Sequence, residues 1–157
     1  MGVAAAPIIS WYDETNTTQL TSLDFGVVDA GSVSDVIRVL IWNNRGGASP
    51  VSDATSCTLT TKDTQGGNTG DVVQERWVEA QDNKEAAPSF VAIGGTVTRP
   101  VAAQPTVNPQ VISGDANDGT TGNSPANFAD VSLRWRVPAT ATAGQRQWLT
   151  RLSYLYV

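Results

Sequence analysis

Residues 23–44, LDFGVVDAGSVSDVIRVLIWNN, constrain this chain more than any other stretch. Leu23, Phe25 and Val27 alternate with polar or small residues, Gly26 and Gly31 provide the permissive backbone that bends need, and residues 33–42 are rich in β-branched side chains. The pattern predicts a strand over residues 19–28, a turn at Asp29-Ala30-Gly31-Ser32 and a long strand over residues 34–42. It predicts strands and no helix.

The rest of the chain repeats this grammar. Residues 8–12 form a short apolar opening strand before the turn cluster Asp13-Glu14-Thr15-Asn16, and residues 56–62 form another strand, closed by the Gly-rich loop 63–70. Residues 72–80 fit either a strand or a single helical turn, because Val72, Val73, Trp77 and Val78 satisfy both periods. Gly94-Gly95 predicts a hairpin between residues 90–93 and 96–98. From 99 to 127 the pattern disappears among Pro100, Pro105, Pro109, Pro125, Gly114, Gly119 and Gly122. Structureless connections longer than about 12–15 residues are usually functional or mobile; Val111 and Ile112 are positioned to pin this one to the body. Alternation returns over residues 131–137, and a turn at 138–144 leads into a last strand over 147–157.

The 157 residues, with 14 Gly, 8 Pro and 1 Met, therefore predict one all-β domain, an antiparallel sandwich with one long loop insertion. A chain of this length buries roughly 70% of its unfolded surface. Residues 1–12 make an N-terminal arm and first strand, and residues 13–157 the sandwich. MGVAAAPII lacks a cationic n-region and is interrupted by Pro7, so neither a signal peptide nor a membrane anchor is expected.

Composition narrows the chemistry. The chain has no His and only Cys57, which excludes zinc clusters, Ser-His-Asp triads and Cys-His pairs built from its own residues. Cys57 lies in the strand Cys57-Thr58-Leu59-Thr60 without a cationic neighbour in sequence, the setting of a buried, inert thiol. Glycoside hydrolysis needs a carboxylate pair; Asp115 with Asp118 and Glu75 with Glu79 are the nearest candidates, and both read as solvated charge. Residues 114–119, GDANDG, have the spacing of hard oxygen ligands, but Thr120 and Ala126 stand where a calcium loop requires Gly and Glu, and Asx-turn chemistry explains the segment. Neither an enzyme, a metal site nor a cofactor is expected. A net charge of −5 argues against a nucleic-acid partner.

Two features ask for partners. Residues 131–157 carry Arg134, Arg136, Arg146 and Arg151 and no acid, against an acidic body. These arginines either pair with carboxylates on neighbouring strands or meet the acidic body of another copy. The long strand also places Ile37, Val39 and Ile41 on one face and Val36, Leu40 and Trp42 on the other. Its second face needs cover from the long loop, the N-terminal segment or another subunit. In the last strand Trp148, Leu152, Tyr154 and Tyr156 oppose Leu149, Leu155 and Val157. Trp, Tyr and Arg dominate binding hot spots, so Trp11, Tyr12, Trp42, Arg134, Arg136 and Arg151 are the candidate interface residues. Aromatic faces also suit a sugar.

Residues 23–44 resemble the "FG-V-x-x-G … V-x-I-x-N" signature of immunoglobulin-like modules of the ASH and choice-of-anchor type. The ending, a strand followed by PATATAG and another strand, resembles the closing hairpin of such modules. An immunoglobulin-like sandwich is what this implies. From PIISWYD through TSLDFGVVDAG and IWNNRGG to LSYLYV, the chain resembles small structural proteins of tailed-phage head gene clusters, most of all capsid decoration proteins. That resemblance implies a non-enzymatic virion protein, made in the bacterial cytoplasm, that binds the major capsid protein on the outer face of a head as a homo-oligomer, often a trimer, and stabilises the shell. Residues 1–12 and 99–127 are then the contact elements. The alternatives are a tail, neck, fibre or adhesin-like module binding a host-surface glycan or protein, and a cellular immunoglobulin-like interaction domain.

Overall fold

The computed structural model describes residues 5–104 and 110–157; the first four residues of the expected arm and residues 105–109 of the expected loop lie outside the described residues. Eight strands follow in chain order: β1 (Ile9–Asp13), β2 (Ile37–Asn43), β3 (Thr55–Lys62), β4 (Val78–Asp82), β5 (Val91–Ile93), β6 (Arg99–Pro100), β7 (Phe128–Trp135) and β8 (Leu149–Leu155). One helical turn, α1 (Asp71–Gln74), precedes β4, and a 3-10 turn, Pro125–Asn127, precedes β7. They build a five-stranded sheet in the order β1-β2-β7-β4-β5 and a three-stranded sheet in the order β6-β3-β8. Every strand pair is antiparallel. The chain is an all-β antiparallel sandwich of two sheets.

Alternation along β2 and β7 sets the packing. Ile37, Val39 and Ile41 register against Leu133, Val131 and Ala129 and face the second sheet, where Cys57 and Leu59 of β3 meet them; all of these except Ile37 have no exposed surface. The opposite face of the same two strands carries Leu40, Trp42 and Phe128, also buried, with the Trp42 and Phe128 rings 4.8 Å apart. β2 is thus covered on both sides within the one chain.

Two expectations need correction, and an open one is resolved. Residues 19–28 do not form a strand: only a bridge between Tyr12 and Gln19 joins them to a sheet. The Asp24 carboxylate accepts the Gly26 N–H at 2.8 Å and Gly26 adopts φ 72°, a local turn that competes with ladder formation. The predicted alternation holds only for Leu23 and Phe25: past the turn at Gly26 its phase shifts, so Val28 lies against the core while Val27, expected on the face of Phe25, is 99% exposed. The hairpin at Gly94-Gly95 closes with only a Gly94–Val97 bridge. The Thr60 hydroxyl lies 3.0 Å from the Gly95 carbonyl and 2.9 Å from that of Val97, drawing the chain toward β3, so the next strand, β6, joins the other sheet. Residues 72–80 realise both periods in turn, with α1 ending at Gln74 and Arg76 at φ 56° before β4 begins.

Cys57 has no exposed surface, its Sγ lies 3.4 Å from the Ala54 carbonyl oxygen, and burial pushes the thiol up to about 11. Iodoacetamide at about pH 8 should therefore leave Cys57 unmodified in the native protein and label it in urea, because only the thiolate reacts and only unfolding exposes it. Native-state labelling at the rate of a free thiol would contradict this packing.

Candidate interaction surfaces

Asparagine side chains tie together the segments around the end of β2, while Tyr12, Arg45 and Lys84 lie over its outer face. Buried Asn43 donates from Nδ2 to the Ser52 and Ile112 carbonyls at 3.0 and 3.1 Å and accepts the Ile8 N–H at 2.9 Å. Asn44, held at φ 58°, donates to the Ser49 and Gly114 carbonyls. The Asn117 amide donates to the Asn44 carbonyl and accepts the N–H groups of Gly46 and Gly119. Asn16 Nδ2 reaches the Gly119 carbonyl at 2.8 Å, and Arg45 lies 3.9 Å from the Tyr12 ring centroid while donating to Asn16. On the far side Lys84, 3.5 Å from the Phe128 ring centroid, donates to the Pro125 and Phe128 carbonyls. Burial pushes this ammonium down to about 8. The cover of Leu40, Trp42 and Phe128 is internal, and residues 5–16 and 112–119 meet at one end of the sandwich.

The candidate interface residues do not form one patch. Trp42 has no exposed surface and Trp11 is half-buried against the core. Tyr12 lies under Arg45. Arg134 pairs with Glu79, its cross-strand neighbour in the β4–β7 register, at 2.6 Å, and Arg136 reaches the same carboxylate at 3.3 Å. Arg146 pairs with Asp71 at 2.9 Å. Most of the basic C-terminal stretch is thus neutralised by its own sheet; Arg151, exposed on β8, makes no ion pair among the described residues.

The carboxylates considered for catalysis are occupied elsewhere. Asp118 accepts from Thr120, Asn123 and Ser124, bonds that hold it well below the usual carboxylate range. Glu75 is exposed after α1, apart from the ion-paired Glu79 on β4. Among the described residues no group of three or more His, Cys, Asp or Glu is placed to hold a metal ion.

Sequence reasoning missed an open cleft of about 1170 Å³. The extended segment 20–30 forms one wall, residues 141–150 form another, and Trp11, Trp77 and Trp135 contribute to the lining. Phe25 stacks on Trp148 at 5.8 Å, and Trp135 lies 5.2 Å from Trp148 on its other side. In the sequence Trp11 stood out as a candidate contact residue and Trp148 as part of the aromatic face of the last strand, but nothing local brought Trp77 and Trp135 to them.

Two measurements check this geometry. Asn43→Ala removes three hydrogen bonds from a fully buried position and should cost about 2–4 kcal/mol in urea unfolding, since each orphaned buried group carries ~1–3 kcal/mol; a cost under about 0.5 kcal/mol would show that the clip is dispensable. Burial pushes the Asp130 carboxyl up, but hydrogen bonds from Arg38 and Asn83 outweigh it, and Arg146 lowers Asp71, so both titrate below their ordinary 3.8 in the folded state. Their contributions are complete above that value and vanish as pH falls through the folded-state pKa values. The double variant Asp71→Asn, Asp130→Asn should flatten the acid limb of the stability curve, and an unchanged limb would refute the assignment.

No family model matches the chain, and no curated protein matches it. Among solved structures it is similar to the P pilus rod subunit PapA, with 17% identity over 100% of this chain and 95% of that chain and a TM-score of 0.42.

Proposed function

We propose that this chain is a non-catalytic structural protein of a phage virion that binds the outside of the capsid, through contacts to the major capsid protein, and stabilises it. The virion assignment rests on the resemblance of its sequence to small head proteins. The observation that carries the surface is that parts of the two expected contact elements, 1–12 and 99–127, meet at one end of the sandwich: Asn43 joins the Ile8 N–H to the Ile112 carbonyl, and just after the arm Asn16 donates to the Gly119 carbonyl. Exposed Ala5, Ala6 and Ile8, the last 57% exposed, are uncharged there and available for burial.

Such a contact works by area and repetition. Apolar burial contributes ~25 cal/mol per Å², and many copies on one shell multiply a modest contact. A rigid end suits this use because little ordering entropy remains to be lost on docking. The aromatic cleft supports a second reading, an adhesin-like module, since half-buried Trp and Phe faces can stack on a sugar.

Purified protein mixed with empty heads of the parent phage should co-sediment with them. Ile8→Asp should weaken that binding at least about tenfold without changing the circular dichroism spectrum, because burying an isoleucine side chain is worth ~1.5–3 kcal/mol. Failure to pellet with any head form overturns the capsid reading; binding to a glycan array, lost on Trp148→Ala, establishes the adhesin reading in its place.

A further inference from the structure

β8 pairs with β3 on one edge, and among the described residues no backbone hydrogen bond reaches its other edge. The side that faces β3 follows from the carbonyls of Leu155 and Val157, which accept from the Thr55 and Ser52 hydroxyls at 3.1 and 2.7 Å. Odd-numbered residues of β8 therefore turn their backbone groups to β3, in the register Thr58–Ser153, Thr60–Arg151 and Lys62–Leu149. Thr150, Leu152 and Tyr154 turn theirs outward. Natural edges are usually blunted by Lys, Pro, a bulge or a covering segment. This edge carries no Lys or Pro, and the register shift beside it lies in β3. Its N-terminal end, Leu149 and Thr150, opens onto the aromatic cleft.

We propose that the outer edge of β8 pairs antiparallel with β8 of a second copy about a two-fold axis at Leu152, so that each C-terminal strand runs into the other's cleft. The register selects this occupant. Outward backbone groups meet as Leu152 with Leu152 and Thr150 with Tyr154, the hydrogen-bonded type of antiparallel pair. On the solvent face, Leu149, 43% exposed, meets Leu155, 66% exposed, and Arg151 meets Ser153. The one charge on the strand thus avoids its own copy. Continuing the ladder puts Tyr156, 53% exposed, beside Trp148 at the aromatic wall of the cleft. An isologous contact requires this self-complementarity, and strand addition with alternate side chains seated in a groove is an established mode of recognition. The symmetry predicts pairs of copies rather than isolated trimers. It stands apart from the capsid reading, because a pair that ignores heads leaves it intact.

Light scattering on the purified chain should give twice 16.5 kDa at high concentration. Thr150→Pro should return the mass to one copy with native circular dichroism, since its N–H faces away from β3 and proline is tolerated on such an edge. Arg151→Cys and Ser153→Cys, prepared separately and mixed under oxidising conditions, should yield a disulfide-linked heterodimer. Neither alone should cross-link, because only residues 151 and 153 come within disulfide reach in this register. A mass of one or three copies at every concentration, or a mixture with no more cross-link than each single variant, overturns the proposal even if Thr150→Pro fails to fold.

Discussion

One strand pair, β2 with β7, has apolar side chains on both faces, and the rest of the structure answers that constraint. The inner face is satisfied by the second sheet, as in any sandwich. The outer face holds Leu40, Trp42 and Phe128, which water would otherwise reach. A loop can cover such a face only if its own backbone groups are hydrogen-bonded. Tyr12, Arg45 and Lys84 lie over this face, and the side-chain amides of Asn43, Asn44 and Asn127 hold the neighbouring segments by donating to carbonyls of Ser52, Ser49, Ile112, Gly114 and Ser113. The Asn-rich turns of this protein are therefore part of its packing, and they also fix where the N-terminal segment lies.

How much of this was legible in the sequence depended on the range of the interaction. Strands β1, β2, β3, β7 and β8 could be read from alternation, because one buried face imposes a period of two on local sequence. Residues 19–28 kept the period only as far as Phe25 and formed no ladder: the turn at Gly26 puts Val28 rather than Val27 against the core, and alternation does not report such a bend. β6 could not be read, because the pull of Thr60 on residues 95 and 97 acts across 35 and 37 positions. The Asn43 clip was equally invisible, since its partners at Ile8, Ser52 and Ile112 are distant in sequence.

The same logic sorted the candidate surface. Basic residues clustered near the C-terminus suggested a charged interface, but antiparallel register set Arg134 opposite Glu79, and topology brought Arg146 to Asp71. Trp42 was read as a hot spot because Phe128 and Tyr12, which pack on it, are distant in sequence. What the fold leaves open is the edge of β8 and the aromatic cleft beside it, a place where backbone and apolar side chains both remain available. The adhesive role proposed above would use two places: the end of the sandwich where residues 5–16 and 112–119 meet, and the free edge of β8.

Amide hydrogen exchange across a concentration series tests that organisation most directly. The account predicts that Arg151 and Ser153 are protected at all concentrations, being bonded to β3, while Thr150, Leu152 and Tyr154 exchange freely when dilute and gain protection together as copies associate. Unprotected amides at these three positions in samples whose mass shows association would place the self-contact elsewhere and contradict it.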